Sequence, residues 1–394
     1  VEAALKSMED GGMLFAIVPM SVVTEGGKAG AWRRPLLDHH TVLAVISFPE
    51  ELFYPVSNQT VAVILRKGIA HPKDQPVFWA RVVNDGFRKS KGKRLPTKGG
   101  VPNDLETIKP LLRSFLLDPK QPVPATPEFV CAAPLDLSDP ILELAPEAYL
   151  ESRVPDVREL VARLDHQVRE NVGALVTFDL KPRGTGPRRT IIDDARAVPS
   201  ASAAAAIKKL PTFKPIPLQQ VFTLQAGDYH SLADEDAGET PVASCADSEN
   251  GIAGFYEIPD EHTYRDALTI AFNGSPLTTK MHPYALGAKD DGAVALPKED
   301  LSAEALIFIQ AQLNAERWRF SYYRKCFREK LGRTTVELPI RDGRLDVGFM
   351  VDAVRAQPYW WFLNPRLKGW KPKAPDGSGT MPLPALGDDA NDDE

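Results

Sequence analysis

Cysteine is scarce in this chain of 394 residues, and its three cysteines, Cys131, Cys245 and Cys326, lie far apart. An odd number of widely spaced cysteines without a Cys-x-x-Cys pair argues against a disulfide framework and against a zinc site. Reduced thiols in a cytoplasmic protein are therefore expected. The sequence has no apolar run of about 18 residues, so no membrane span is predicted, and its start lacks the features of a secretory signal.

The composition is otherwise that of an ordinary globular protein. Hydrophobic residues make up 43% and charged residues 25%, and the formal net charge is -6. The length predicts two or three domains. Residue 1 is Val rather than Met, and Val1–Lys6 has the pattern of the middle of a helix. We therefore expect the chain to be the C-terminal part of a longer protein.

Three continuous apolar runs of strand length occupy Met13–Pro19, Leu43–Phe48 and Thr60–Leu65, and Ala31–Leu37 between the first two has a helical pattern. Apolar strands that alternate with helices are typical of a sheet with helices on its faces. The pattern predicts an α/β fold. Three strands would form only half of a doubly wound sheet, which agrees with a chain that is cut.

The order of these motifs carries a resemblance. Gly11-Gly12 precedes a strand that ends in Pro19, then come Arg33–Leu37, a strand that ends in Pro49, and a strand led by Thr60. This order resembles the C-terminal half of the catalytic domain in adenine-N6 DNA methyltransferases of type I restriction-modification systems. The resemblance implies an incomplete Rossmann-like methyltransferase half-sheet over residues 1–118.

The chain departs from that family at its chemical motifs. The family binds S-adenosylmethionine through a Gly-rich loop and acts on a flipped adenine with an Asn-Pro-Pro-aromatic motif. Here Gly184-Thr-Gly186 lies between prolines in a basic segment, and Asn364-Pro365 is followed by Arg366. S-adenosylmethionine is thus implied for the full-length enzyme only. No catalytic, cofactor-binding or metal-binding residue is assigned, and the chain alone is expected to be inactive.

Residues 119–208 are predicted to connect two domains. Lys120–Pro134 is rich in proline, which favours an extended link. One apolar helical stripe follows, formed by Val157, Leu160, Val161, Leu164 and Val168. This stripe indicates a packing helix, and a coiled-coil spacer or partner helix is the alternative. The Pro-, Gly- and Ala-rich segment 181–206 is predicted to be an exposed flexible linker at the domain boundary.

A second resemblance covers residues 209–342. Thr240–Ser244, Asn250–Tyr256 and the closing Val336–Ile340 follow one another as they do in the target-recognition domain of type I specificity subunits. Short strands with Gly-rich turns agree with such a module. We expect an α+β, β-rich domain with one or two helices, one of them around Leu306–Leu313.

The stretch Trp318–Arg333 is basic, although the chain as a whole has a net negative charge. It contains six cations and one acid, with five aromatic residues between them. Phosphates attract such cations, and aromatic rings stack on bases. The alternative is an amphipathic segment whose aromatic residues face the core and whose charges are simply solvated.

The candidate DNA contacts are polar, basic or aromatic residues of this domain: Asn250, Asn273, Lys280, Tyr322, Arg324, Lys325 and Arg328. Asn can pair with adenine, and Arg or Lys with guanine or phosphate. Asn250 and Asn273 each precede Gly, so turn chemistry is their alternative. Phe320 and Phe327 are predicted core anchors. Tyr323 stands where some members have Gly, which leaves the local turn in doubt.

Residues 343–394 are predicted to form an aromatic and basic tail with a disordered acidic end. Gln357–Phe362 is expected to pack back on the domain, and binding a partner is the alternative.

Together these features predict the C-terminal portion of a site-specific adenine-N6 DNA methyltransferase that provides target recognition. The expected partners are double-stranded DNA and restriction or methylase subunits. One alternative is a stand-alone DNA-binding specificity protein that docks a separate methylase. Another is a structural interaction module without a nucleic-acid role.

Overall fold

The computed structural model describes residues 1–97, 99, 102–179, 207 and 209–367. The chain divides into two compact units, unit 1 (Val1–Arg153) and unit 2 (Val154–Glu394). Helices and strands are numbered in chain order over the described residues. No helix among those residues is long and apolar enough to cross a membrane.

Unit 1 is a mixed α/β structure. Its strands are β1 (Met13–Pro19), β2 (His40–Ser47), β3 (Thr60–Lys67), β4 (Pro76–Arg81), β5 (Phe87–Ser90), β6 (Lys93–Pro96) and β7 (Val130–Pro134). Its helices are α1 (Glu2–Lys6), α2 (Met20–Thr24), α3 (Gly27–Gly30), α4 (Arg33–His39) and α5 (Asp104–Leu117).

Five of these strands form one sheet in the order β1-β3-β2-β4-β7. The β2–β4 pair is parallel, and the other three pairs are antiparallel. β2, β3 and β4 are almost wholly buried, as expected for continuous apolar strands. Ile108 and Phe115 of α5 contribute to the core with Phe78 of β4. The three predicted strands and the helix after Ala31 are confirmed.

Unit 2 contains shorter strands: β8 (Thr212–Pro217), β9 (Phe222–Ala226), β10 (Ala237–Ala243), β11 (Ile252–Tyr256), β12 (Ala267–Ala271), β13 (Thr279–His282), β14 (Gly287–Ala288), β15 (Gly292–Pro297), β16 (Thr335–Arg341) and β17 (Arg344–Leu345). Its helices are α6 (Val157–Asp179), α7 (Leu218–Val221), α8 (Ala303–Ala315), α9 (Arg328–Arg333), α10 (Val347–Arg355) and α11 (Trp360–Leu367).

These strands form three small sheets, in the orders β11-β10-β14, β13-β12-β15-β9 and β17-β16-β8. Helix α8 lies in the centre, and every residue from Glu304 to Leu313 is buried. Its polar members are satisfied: Gln310 donates to the Thr279 carbonyl and Gln312 to the Glu337 carbonyl, each at 3.0 Å. A helix that is apolar on nearly all sides is expected only at such a position.

Two parts of the predicted connection 119–208 belong to the compact units. The Pro-rich segment before Pro134 ends in β7, an edge strand of the unit 1 sheet, and is therefore not a free link. Helix α6 belongs to unit 2, because Leu160, Leu164 and Val168 are fully buried in its core. The packing interpretation of this helix is confirmed. The predicted flexible segment 181–206 lies outside the described residues.

The tail is also part of unit 2 as far as residue 367. Tyr359, Trp360 and Phe362 are buried in the same core cluster as α6 and α8, which confirms that the aromatic segment packs back on the domain. The predicted acidic end lies outside the described residues.

Candidate nucleic-acid interface

The basic stretch Trp318–Arg333 connects α8 to β16 over the surface of unit 2. A 3₁₀ turn (Glu316–Arg319) follows α8, and Ser321 and Arg324 then exchange backbone hydrogen bonds of 3.1 and 3.0 Å. Tyr322 and Tyr323 therefore occupy the tip of a tight turn. Neither is among the described residues with positive φ, so a side chain at position 323 is compatible with this turn.

Four exposed or half-exposed side chains of the stretch make up what we call the aromatic-basic patch: Tyr322, Lys325, Phe327 and Arg328. Tyr322 is 67% and Phe327 55% exposed. The Lys325 ammonium lies 5.4 Å from the Tyr322 ring centre and 6.0 Å from the Phe327 ring centre. Arg328, the first residue of α9, is exposed. The patch thus offers two cations and two aromatic faces to a ligand.

Phe327 corrects the sequence prediction, whereas Phe320 confirms it. Phe320 is 8% exposed and belongs to the core. Phe327 caps that core from outside: its ring meets the buried Phe272 ring edge-on at 5.8 Å, while most of its own surface faces solvent. The neighbouring Cys326 is the buried anchor instead, with its thiol 3.0 Å from the Ala271 carbonyl oxygen. Burial raises the pKa of the Cys326 thiol to about 12.

Arg324, a predicted DNA contact, points into unit 2. It is 4% exposed, its guanidinium donates to the Arg319 carbonyl, and it lies 4.7 Å from the Phe320 ring centre. Beside it, Arg319 pairs with Glu316 at 2.9 Å, and both are buried. Arg324 therefore holds the turn that carries Tyr322, and its charge is not presented at the surface.

Asn250, another predicted DNA contact, is also turned inward. Its backbone has φ 56°, and its amide donates to the Met281 carbonyl and the Tyr284 hydroxyl, both at 3.1 Å. Asn250 is 8% exposed, so its amide group makes its hydrogen bonds inside unit 2. This geometry favours the turn interpretation of Asn250, because Asn is enriched among non-glycine residues in the left-handed region.

The Asn250 amide belongs to a buried polar chain. The Nδ1 atom of His282 is 2.9 Å from the Tyr284 hydroxyl oxygen, and its Nε2 atom is 2.8 Å from the Thr269 hydroxyl oxygen. Burial, aided by Lys280, lowers the pKa of His282 to about 3. The neutral imidazole can accept from Tyr284 and donate to Thr269, so this chain ties the loop before β11 to β12 and β13.

Lys280 lies elsewhere, on the wall of a cleft of about 380 Å³ between α6, α8 and the start of β13. Other polar residues that line the cleft are Arg163, Gln167, Asn314 and Arg317. The Lys280 ammonium is 3.7 Å from a Glu170 carboxylate oxygen. Lys280 is therefore partly neutralised and joins the cleft rather than the aromatic-basic patch.

An acid on the cleft wall was not anticipated from the sequence. Asp247 accepts from the Ser275 hydroxyl at 2.8 Å and the Thr278 hydroxyl at 2.9 Å, and it lies 3.6 Å from Arg317. Burial raises the pKa of Asp247, but these hydroxyls together with Arg317 and Lys280 outweigh it and bring the pKa below its usual range. Asp247 therefore stays ionised and orients Arg317.

The residues that α6 contributes to this cleft are recognisable from their spacing in the sequence. Arg163, Gln167 and Glu170 follow i, i+4, i+7 and share one face of α6. Asp247 carries no such signal, because its position depends on two loops that meet only in the fold. Asn273, the remaining candidate, is half-buried, and its Oδ1 atom is buried without a hydrogen-bond partner.

The Gly11–Gly12 turn of unit 1 does not form a cofactor cradle. The Gly11 N–H donates to the Lys67 carbonyl, and the Gly12 carbonyl accepts from the Lys67 N–H, so this turn closes the β1–β3 ladder. At Gly30, a Cβ atom would meet the Arg33 guanidinium at 2.4 Å, so that space is filled. These residues do not fit S-adenosylmethionine, and among the described residues no cluster of three His, Cys, Asp or Glu could hold a metal ion.

Comparison with known proteins finds one family model and several relatives, each matching part of the chain. The model of the N-6 DNA Methylase family matches residues 1–103. The type II restriction enzyme BgcI specificity subunit S.BcgI of Heyndrickxia coagulans is 24% identical over 135 residues. The restriction enzyme and methyltransferase RM.BcgI of the same organism is 32% identical over 87 residues.

These matches are partial. They cover 34% of this chain and 40% of S.BcgI, and 22% of this chain and 14% of RM.BcgI. Among solved structures, the type I restriction-modification S subunit from M. genitalium overlaps 92% of each chain, with 13% identity and a TM-score of 0.31. By its sequence matches, the chain is similar over parts of its length to the specificity and methylase proteins of restriction-modification systems.

Proposed function

We propose that this chain provides DNA recognition for a site-specific adenine-N6 DNA methyltransferase of a restriction-modification system. Unit 1 would contribute part of the methyltransferase domain, and unit 2 would be the target-recognition domain. The observation that carries the proposal is the aromatic-basic patch, in which Lys325 and Arg328 stand beside the exposed rings of Tyr322 and Phe327. Cations that hold phosphates are the usual means of gripping duplex DNA, and exposed rings can pack on sugars or on bases that have left the stack.

In this proposal the chain positions the DNA and does not itself transfer the methyl group. Lys325 and Arg328 would hold backbone phosphates, and Tyr322 and Phe327 would pack against bases or sugars. S-adenosylmethionine would supply the methyl group, held by other parts of the complete enzyme. A base on which an enzyme acts must leave the stack, so a firm grip on the flanking duplex would support that step.

The proposal is tested with the purified chain and fluorescently labelled duplexes of random sequence. We expect binding whose affinity falls steeply between 50 and 200 mM salt, because phosphate contacts release counterions. We expect no transfer of labelled methyl groups from S-adenosylmethionine to DNA. Absence of salt-dependent binding would overturn the DNA-recognition role, and methyl transfer by this chain would overturn its restriction to positioning.

A second candidate is a specificity protein that docks a separate methylase. The β1 edge of unit 1 favours it, since Met13, Phe15 and Ile17 are 46 to 57% exposed at alternate positions of an edge strand. Such a row invites a covering partner. The coding sequence upstream of Val1 separates the two candidates: a Gly-rich loop and an Asn-Pro-Pro-aromatic motif support the fused enzyme, and a start codon supports the separate subunit.

A further inference from the structure

Strands β5 and β6 of unit 1 form a basic hairpin. Its residues 87–96 include five cations and no acid, in a chain of net charge -6. The pairing runs from Phe87 opposite Pro96 to Ser90 opposite Lys93. The two turn residues, Lys91 and Gly92, both have positive φ, 40° and 80°, as in the tight type I′ turns that suit twisted hairpins.

The base of this hairpin is held firmly by acids of unit 1. Asp85, which is 6% exposed, accepts the Phe87 N–H at 3.0 Å and pairs with Arg94. Asp104 accepts the N–H groups of Val83 and Asn84 at 2.8 and 2.7 Å. The hairpin therefore has a defined direction rather than being a loose loop.

The remaining cations divide between two faces. Lys89 and Arg94 are cross-strand partners on one face, where Arg94 pairs with Asp85 and the ammonium of the exposed Lys89 lies 5.1 Å from the Tyr54 ring centre. Because side chains alternate along a strand, Arg88 and Lys93 share the opposite face. Lys91 stands at the tip, and all three are exposed.

These three outer cations have no counter-charge in the part of the chain that the structure describes. Among the residues described, Arg88, Lys91 and Lys93 form no ion pair with a carboxylate. Like charges held close together on a hairpin repel one another, and a polyanion removes that repulsion. A rigid row of cations without carboxylates is complementary to a phosphate backbone.

We propose that the β5–β6 hairpin is a second DNA-binding element, in which Arg88, Lys91 and Lys93 bind phosphates of duplex DNA without reading its sequence. This inference rests on the proposed function, which assigns DNA binding to unit 2. The hairpin adds affinity that is equal for all sequences, whereas the recognition loops of unit 2 discriminate between them.

The test compares two triple variants of the whole chain that lose the same charge. Arg88→Gln, Lys91→Gln and Lys93→Gln remove the outer cations but keep Asp85, Arg94 and the hairpin pairing. The control changes Lys6, Lys73 and Lys120, which are exposed residues of unit 1 outside the hairpin sequence, to Gln. Affinity for random duplexes is measured from 50 to 200 mM salt, and thermal unfolding checks that both variants fold.

We expect the hairpin variant to lower the slope of log affinity against log salt by about 0.9 for each phosphate that it no longer binds. The slope should therefore fall by roughly two to three for three cations, with affinity at 0.1 M salt reduced on the order of 100-fold. A slope equal to that of the control overturns the hairpin proposal while leaving the proposed function intact. Absence of binding by the unmodified chain overturns both.

A second measurement locates the contact directly. Saturating random duplex should slow acetylation of Lys91 and Lys93 severalfold, as followed by mass spectrometry, and should leave Lys6 unchanged. Equal protection of Lys6 and Lys91, or protection of neither in a chain that binds DNA, would overturn the hairpin contact. This result does not depend on any substitution.

Discussion

The Lys325 ammonium lies 5.4 Å from the centre of the Tyr322 ring, which is itself 67% exposed. A cation–π contact at an exposed site contributes about 0.5–1 kcal/mol. It therefore orients both groups without hiding them. Tyr322 lies at the tip of a closed turn, so its ring and the Lys325 ammonium are held next to each other. Such a pair can bind a nucleotide through its base or sugar and its phosphate at the same time.

The first prediction concerns the cations of the patch. The double substitution of Lys325→Gln and Arg328→Gln should weaken binding to all duplexes and reduce the salt slope by about 0.9 for each phosphate that is released. Fluorescence anisotropy titrations at several salt concentrations measure both effects. Lys214→Gln with Arg344→Gln is the matched control, since both residues are exposed on β8 and β17. An equal effect in the control would assign the weaker binding to net charge alone.

The second prediction concerns the Tyr322 ring. Tyr322→Ala should cost about 1–3 kcal/mol of binding if the ring stacks on a base, with little change in the salt slope. Tyr322→Phe keeps the aromatic face and should retain most of the affinity. If Phe and Ala weaken binding by the same amount, the hydroxyl rather than the ring makes the contact.

The third prediction separates support from contact at Arg324. This side chain donates to the Arg319 carbonyl inside unit 2, so Arg324→Lys should lower the stability of unit 2 on the order of 1.5–3 kcal/mol. A lysine keeps the charge but lacks the planar donor group. Thermal unfolding measures the change. Undiminished stability together with weaker DNA binding would instead make Arg324 a direct contact.

The sequence predicted those parts of the fold whose signal is local. β1 to β3, α6 and α8 were recognised because hydrophobic periodicity is a property of neighbouring residues. The fifth sheet strand, β7, was missed, because the prolines around it indicate an extended chain but not the β4 strand with which it pairs. The boundary at Val154 has no local signal either, since α6 packs on distant residues such as Gln312, which accepts a hydrogen bond from Arg163.

The candidate site shows the same division. Residue type alone points to Tyr322, Lys325 and Arg328, and the structure exposes or half-exposes all three. Arg324 and Asn250 have the same chemistry but point inward. In a loop, the direction of a side chain depends on tertiary contacts such as those to Phe320 and Met281, which no spacing rule contains.

The last prediction concerns pH. The imidazole of His282 is buried between the hydroxyls of Tyr284 and Thr269, and its pKa is lowered to about 3. In the unfolded chain its pKa returns to about 6.5, so protons favour the unfolded state. The stability that depends on neutral His282 is fully present above pH 6.5. It declines as pH falls toward 3, by up to about 1.4 kcal/mol per pH unit.

Urea unfolding of unit 2 between pH 8 and pH 5 measures this decline. His282→Gln should be less stable than the unmodified chain at pH 8, and its stability should fall less steeply below pH 6.5. His166→Gln, which removes an exposed imidazole on α6, is the control. NMR of the His282 ring should show no titration above pH 5. A ring that titrates near pH 6.5 in the folded protein would contradict the buried polar chain, and with it the anchoring of the Asn250 loop.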